Sequence, residues 1–180
     1  NIRESVHAWI AAGMTSRRAP DCPTPGYLLD MIPAGELSIV QVKSIFLLSA
    51  FAVEVQSTML TVSLSDVAAF CRTTNTRARA ALRDLADLDF DLVNTSSTRS
   101  RARHPQTATG VKFISVVAER RGEMDVIIAP FMSVPSVINS SHDSSRYYYS
   151  MLDLGLISKS KTTAEVVLRH TVSTMLHRVS

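Results

Sequence analysis

The sequence predicts an α+β fold, because segments with helical spacing of apolar residues alternate with short β-branched runs. The segment "SIVQVKSIFLLSAFA" is apolar almost all round, "TMLTVS" is β-branched, and "VKFISVVAE" alternates apolar and polar residues. With 180 residues, of which 46% are hydrophobic, the chain is long enough to bury one core of ordinary size. We therefore expect one folded domain over residues 36–180, preceded by an arm.

The first 35 residues predict a short helix followed by a linker. Ile2, Val6, Trp9 and Ile10 recur at helical spacing. Three prolines and a glycine then occur in "TSRRAPDCPTPGY". Because proline lacks the backbone N–H that helices and sheets use, this stretch predicts no regular structure. We assign residues 1–35 to an N-terminal arm and proline-rich linker.

A helix, a strand and two further helices begin the predicted domain. Ser38 and Gln41 form the spacing of a capping box at the start of a central buried helix. The run "TMLTVS" predicts a strand, and "SLSDVAAFC" predicts a short helix with its own cap signature. A second helix is predicted over residues 74–88.

The helix predicted over residues 74–88 has an apolar face and a polar face. The apolar face consists of Ala78, Ala81, Leu82 and Leu85. The opposite face consists of Thr76, Arg79, Ala80 and Arg83, with Arg77 at its flank. We therefore expect Arg79 and Arg83, which are one turn apart, to face outward.

The remainder of the chain predicts a β-ribbon and a final helix. The strand-like runs are "FDLV", "VKFISVVAE" and "MDVIIAP", and the basic loop "NTSSTRSRARHPQTATG" separates the first two. The tail "TTAEVVLRHTVSTMLHRV" predicts an amphipathic helix with a capping box at Thr162 and Glu165. Its predicted apolar stripe consists of Ala164, Val167, Leu168, Val172, Met175 and Leu176.

The predicted elements follow the order of a winged helix, which is helix, strand, short helix, turn, second helix and ribbon. This fold is a helix-turn-helix with a β-ribbon wing, here with extra N- and C-terminal helices. In a helix-turn-helix, the second helix presents its outer face to duplex DNA, where arginine meets phosphates or base edges. The helix predicted over residues 74–88 is therefore the candidate DNA-contacting helix.

A local basic stretch supports the same hypothesis. The net charge is only +3, but no acidic residue occurs between Asp91 and Glu119. The basic loop within this stretch suits salt-dependent contact with the phosphate backbone. The predicted nucleic-acid-binding residues are Thr76, Arg77, Arg79, Arg83, Arg99, Arg101, Arg103 and Lys112.

A solvated surface is the alternative interpretation of both basic regions. Basic helix faces are common on soluble proteins, and the acidic residues near the end of this helix would repel phosphate. These acidic residues are Asp84, Asp87, Asp89 and Asp91. The basic loop is in the same way compatible with a solvated loop that contacts nothing.

The sequence does not indicate an enzyme. It contains no HExxH, CxxC, glycine-rich phosphate loop or GxSxG motif. "SSHDSSR" places Ser, His and Asp side by side, whereas catalytic triads are assembled from distant parts of a fold. His170 and His177 are two turns apart and lack a third metal ligand. We therefore expect no catalytic residues, no metal and no cofactor.

Cysteine use and hydropathy predict a cytoplasmic protein. Cys22 and Cys71 do not form a disulfide framework or a metal-ligand pattern. No apolar run reaches the roughly 18 to 20 residues needed to cross a bilayer. We expect no membrane partner.

The ordered blocks resemble the N-terminal winged-helix domain of the iteron-binding replication initiators, the Rep proteins of theta-replicating bacterial plasmids. The resemblance spans roughly residues 36–178 and depends on "ELSIVQVKSIFLLSAF", "TVSLSDVAAFC", "RARAALRDLADLDF" and "MDVIIAPFMSVPSVI". Two features depart from the family: "VVLRHTV" has Arg169 without the usual tyrosine, and the resemblance extends over the first of the family's two tandem winged helices, which implies a fragment or a shortened member. The resemblance implies phosphate-backbone contact at repeated origin sites, homodimerisation and contact with further replication proteins.

Three functions are compatible with these patterns. The first is the DNA-binding domain of a plasmid-type replication initiator that binds double-stranded DNA and dimerises. The second is a winged-helix transcriptional regulator, and the third is a structural or assembly subunit that uses the winged helix as a protein-interaction scaffold. Direct repeats as binding sites would favour the initiator, inverted repeats the regulator, and no DNA affinity the scaffold.

Overall fold

The computed structural model describes residues 5–15, 20–25, 36–93, 107–129 and 149–179, which form an α+β fold. The helices are α1 (Val6–Ala11), α2 (Ile39–Val55), α3 (Leu64–Cys71), α4 (Asn75–Asp87), α5 (Leu154–Lys159) and α6 (Thr163–Val179). The strands are β1 (Asp21–Pro25), β2 (Met59–Ser63), β3 (Phe90–Val93), β4 (Thr107–Val111), β5 (Ile114–Arg120), β6 (Glu123–Ile128) and β7 (Tyr149–Asp153).

A three-stranded antiparallel sheet and two antiparallel ribbons make up the β-structure. The sheet has the strand order β2–β6–β5, and the ribbons pair β1 with β7 and β3 with β4. One face of the sheet packs on the core, whereas Met59, Val117 and Ile127 are exposed. The buried sheet residues are Leu60, Val62, Ile114, Met124, Val126 and Ile128.

Helix α2 is the central buried helix that its sequence predicts. Ser38 Oγ accepts from the Gln41 backbone N–H at 3.2 Å, and Gln41 Oε1 accepts from the Ser38 N–H at 3.0 Å, which confirms the predicted capping box. Phe46 and Phe51 of α2 are fully buried. The helix ends at Gln56, which adopts the left-handed conformation with φ of 53°.

Helices α3 and α4 form a compact pair joined by a three-residue turn at residues 72–74. Arg72 ends α3 in the left-handed conformation with φ of 56°, and Thr74 caps α4 by accepting from the Arg77 N–H at 3.2 Å. Ala78, Leu82 and Leu85 are buried as predicted, whereas Ala81 is only half-buried. The pair is thus anchored along one face of each helix.

The hairpin formed by β5 and β6 is tied to the start of α3. Gly122, with φ of +78°, occupies a turn conformation that side chains disfavour. The Leu64 N–H donates to the Gly122 carbonyl at 2.9 Å. This contact places the tip of the hairpin beside the α3–α4 pair.

The single strand predicted over residues 111–119 is in fact two strands. Strand β4 ends at Val111 and β5 begins at Ile114, with Lys112 and Phe113 between them. Phe113 is fully buried, and its carbonyl accepts from the Ala129 N–H at 2.8 Å, so the chain turns inward here. The predicted basic loop is too long at its C-terminal end, because its last four residues, 107–110, belong to β4; a separate tight turn closes the β5–β6 hairpin.

The prediction that the proline-rich segment lacks regular structure is wrong. Residues 21–25 form β1, which within the described part of the chain pairs with β7 alone and is an edge strand. Pro23 and Pro25 are two residues apart, so their missing N–H groups lie on the same edge of the strand. Proline is tolerated there because β7 occupies the other edge.

The prediction of the apolar stripe of α6 is also wrong, because the structure buries a different face of this helix. Val166 and His170 are buried, and the His170 ring lies 5.4 Å from the ring of Phe46 on α2. Leu168 and Val172 are 64% and 45% exposed, and Ala164 is exposed as well. The helix packs through the face that carries the histidine; the side chains of Met175 and Leu176 lie outside the described residues. None of the described helices is both long and apolar enough to span a membrane.

Candidate nucleic-acid interface

The outer face of α4 carries several of the predicted nucleic-acid-binding residues. Burial of Ala78, Leu82 and Leu85 fixes the rotation of this helix about its axis. Thr76, Arg77 and Arg83 are then exposed on the side that faces away from the core. The interior packing of α4 therefore determines which side chains a ligand of the protein can reach.

Arg79 and Arg83 both form ion pairs with one carboxylate on strand β5. Glu119 Oε1 accepts from Arg79 Nη1 at 3.1 Å and from Arg83 Nε at 2.7 Å. Glu119 Oε2 accepts from Arg83 Nη2 at 3.1 Å. Arg79 also donates through Nη2 to the Arg120 carbonyl at 2.8 Å. These contacts join α4 to the β5–β6 hairpin.

The two arginines differ in exposure, which modifies the prediction that both face outward. The Arg83 side chain is 53% exposed, whereas that of Arg79 is 22% exposed because it lies at the flank of α4 against β5. Hydrogen bonds from Arg83 and then from Arg79 lower the pKa of Glu119, and the hydrogen bond to Glu119 raises the pKa of Arg83. Glu119 and Arg83 are therefore ionised at neutral pH.

A second charged network stiffens the β5–β6 hairpin. Arg120 donates to Asp125 at 2.6 and 2.8 Å and to Glu123 at 3.4 Å. Thr61 on β2 donates its hydroxyl to Asp125 at 2.8 Å. The hydrogen bonds from Arg120 and then from Thr61 lower the pKa of Asp125 to about 2. Arg120 is thus occupied within the hairpin.

Three exposed arginines beside these networks are not occupied in this way. In the described part of the chain, the guanidinium groups of Arg72, Arg77 and Arg121 contact no carboxylate. Arg77 belongs to the predicted set, whereas Arg72 and Arg121 were missed. Arg72 ends α3, and Arg121 lies in the turn of the β5–β6 hairpin. The "RRGE" turn signal could have identified Arg121, because a hairpin tip exposes its side chains.

Lys112 stabilises the C-terminal end of α4. Its Nζ donates to the Ala86 carbonyl at 3.0 Å and lies 3.6 Å from Asp89 Oδ1. A cation at this end complements the partial negative charge of the helix terminus. Lys112 therefore has a structural role in addition to the phosphate contact predicted for it.

Arg99, Arg101 and Arg103 lie outside the described residues. The strands on either side of their loop pair in an antiparallel ribbon, with Phe90 opposite Val111 and Val93 opposite Thr107. The ends of the basic loop are thus held next to each other in the fold.

Charge changes sign along α4. Its arginines, Arg77, Arg79 and Arg83, all precede its aspartates, Asp84 and Asp87. A phosphate backbone is attracted to the part of the helix up to Arg83 and repelled by the end that follows. The part of α4 up to Arg83 and the adjacent hairpin therefore form the candidate face.

The described residues offer no comparable alternative site for metal binding or nucleophilic chemistry. They contain no group of three or more His, Cys, Asp or Glu side chains that could hold a metal ion. Cys71 is buried against Ser44, at 3.6 Å between Sγ and Oγ, and burial raises the pKa of its thiol to about 11. Lys43 is also buried and donates to the Ser158 carbonyl at 2.8 Å, and desolvation lowers its pKa. Both side chains belong to the core.

Comparison with known proteins finds no family model that matches the chain and no curated protein that is significantly similar to it.

Proposed function

We propose that this chain is a winged-helix domain that binds double-stranded DNA through α4 and the β5–β6 hairpin. Helix α2, strand β2, helices α3 and α4 and strands β5 and β6 lie in this order along the chain, with β3 and β4 between α4 and β5, and this order is compatible with that fold. The sheet order β2–β6–β5 is compatible with that fold. In it, α4 is the helix presented to the major groove and the β5–β6 hairpin is its neighbour.

The observation that carries the proposal is that α4 is fixed by its buried face and exposes basic residues on the opposite face. Three buried side chains fix one face of the helix, and Thr76, Arg77 and Arg83 project from the other. With 13 residues, α4 is about 20 Å long, which suits a helix placed in the roughly 12 Å wide major groove. Arginines near the start of such a helix reach phosphates or guanine edges.

The specific form of the proposal is a plasmid-type replication initiator that acts in the cytoplasm as a homodimer. The order of the sequence blocks that resemble the Rep family supports this form. Exposed Leu168 and Val172 on α6 offer an apolar surface for a protein partner, either a second copy or another replication protein. A transcriptional regulator that uses the same helix is the nearest alternative.

A protein-interaction scaffold is the second candidate function, and the same exposed residues of α6 favour it. An apolar helix face without a neighbour is common at interfaces between subunits. On this hypothesis, the arginines of α4 would meet an acidic protein surface and would not bind DNA.

The test is a fluorescence anisotropy titration of a random-sequence duplex of about 20 base pairs at 50 and 200 mM salt. Wild type should bind in a salt-dependent manner, since each neutralised phosphate contributes a slope of about −0.9 in log K against log salt. A variant with Arg99, Arg101 and Arg103 replaced by alanine should lose about 2.7 of that slope if each arginine meets one phosphate.

A matched pair of single substitutions tests the helix itself. Arg77→Ala should weaken binding, whereas Lys159→Ala removes the same charge from α5, outside the proposed face, and should have a smaller effect. No binding by wild type at 50 mM salt would refute the proposed function and favour the scaffold.

A further inference from the structure

One carboxylate on the hairpin organises two arginines of α4. Glu119 accepts three hydrogen bonds from Arg79 and Arg83, and its Oε1 is shared between them. The two arginines are one helical turn apart, so both can reach the same point on β5. Arg83 contacts Glu119 through two charge-assisted hydrogen bonds, and Arg79 contacts Glu119 and the Arg120 carbonyl, so two contacts fix the plane of each guanidinium group.

The two arginines differ in how far their remaining N–H donors are exposed. Arg79 uses Nη1 for Glu119 and Nη2 for the Arg120 carbonyl, and Arg83 uses Nε and Nη2 for Glu119, so each keeps three of its five N–H donors. The Arg83 side chain is 53% exposed, whereas that of Arg79 is 22% exposed. Arg83 therefore presents its remaining donors, which include Nη1, more fully to solvent.

The net charge of Arg79, Arg83 and Glu119 together is equal and opposite to that of one phosphodiester. Two guanidinium groups and one carboxylate carry a net charge of +1, and a phosphodiester carries −1. Without Glu119 the same surface would carry +2, with two mobile side chains able to meet two phosphates.

We propose that Glu119 is a positioning residue that sets how many phosphates α4 contacts: it holds Arg79 as a link between α4 and the hairpin and directs Arg83 Nη1 to one phosphate oxygen. This inference rests on the proposed DNA-binding function. Glu119 thereby limits the sequence-independent part of the affinity. A larger share of the binding energy then comes from contacts that distinguish one site from another.

The first test compares Glu119→Gln with Glu123→Gln in the anisotropy titration of the random-sequence duplex. Both substitutions remove one negative charge from the same hairpin, but among the described residues the Glu123 side chain pairs with Arg120 and with neither arginine of α4. Glu119→Gln should steepen the salt slope by about 0.9, so that binding falls about 3.5-fold more than that of wild type between 50 and 200 mM salt. Glu123→Gln should leave the slope unchanged.

A second comparison uses the two arginines and does not require removal of Glu119. Arg83→Ala should reduce the slope by about 0.9, whereas Arg79→Ala should leave it unchanged because Arg79 meets no phosphate in wild type. A net-charge effect would shift both variants equally. Urea unfolding of each variant verifies that only folded proteins are compared.

The outcomes separate this inference from the proposed function. Wild-type binding with equal slopes for the two glutamine variants, or with equal losses for the two alanine variants, would overturn the role of Glu119 alone. Failure of wild type and all variants to bind at 50 mM salt would overturn the proposed function and this inference with it.

Discussion

Replacement of Leu82 by alanine should separate the stability of α4 from its role in binding. Leu82 is fully buried and lies on the face of α4 that meets the core. The substitution removes three carbon atoms, which corresponds to about 2.4 kcal/mol of lost transfer free energy. The cavity that remains raises the expected loss in the free energy of unfolding to about 3 to 5 kcal/mol.

Leu168→Ala is the matched control, because it deletes the same atoms at an exposed site. Leu168 is 64% exposed, so the substitution should lose only about a third of the transfer free energy, which is below about 1 kcal/mol. Alanine also has the higher helix propensity, which offsets part of this loss. The two substitutions should therefore differ by at least about 2 kcal/mol.

The assay is urea denaturation followed by circular dichroism, with linear extrapolation to water. A loss of 3 kcal/mol moves the urea midpoint by about 1.5 M for a slope of about 2 kcal/mol per molar. Folded Leu82→Ala at low temperature should still bind the duplex, because Leu82 does not reach the outer face. Equal midpoints for Leu82→Ala and Leu168→Ala would refute the burial of this face of α4.

Three further predictions concern titration and ion pairs. Burial raises the pKa of Cys71 from 9.0 to about 11, so its stabilising contribution is complete below pH 9 and is lost as pH rises to about 11. Urea unfolding of wild type relative to Cys71→Ala should show a loss of about 3 kcal/mol across that window. The pKa of Asp125 is lowered from 3.8 to about 2, so its contribution to stability is complete above pH 4 and disappears towards pH 2. Urea unfolding of Asp125→Asn should not show this loss of stability. Glu54 pairs with His7 and accepts from the Val6 N–H, so Glu54→Gln should increase amide exchange in α1 alone.

Local signals in the sequence were sufficient to predict α2, α3 and most of the buried face of α4. The capping pattern at Ser38 and Gln41 depends on residues three apart, and the burial of Ala78 and Leu82 depends on helical periodicity. Such features involve neighbours in sequence and need no knowledge of the fold. The candidate helix and its exposed Thr76 were accordingly predictable.

Contacts between distant segments account for what the sequence did not predict. Glu119 is 40 residues from Arg79 and 36 from Arg83, so nothing local indicates their ion pairs. Strand β1 forms because β7, more than 100 residues later, supplies the pairing edge. Helix α6 has apolar residues on more than one face, and the inward position of His170 involves the ring of Phe46, more than 100 residues earlier.

The most direct test of the central claim is amide hydrogen exchange of the protein with and without a saturating duplex at low salt. We predict added protection over residues 74–84 of α4 and at residues 119–121 of the hairpin, with exchange in α5 unchanged. Protection confined to α6, or no protection anywhere at a concentration that saturates binding, would contradict the assignment of α4 and the β5–β6 hairpin as the DNA-binding face.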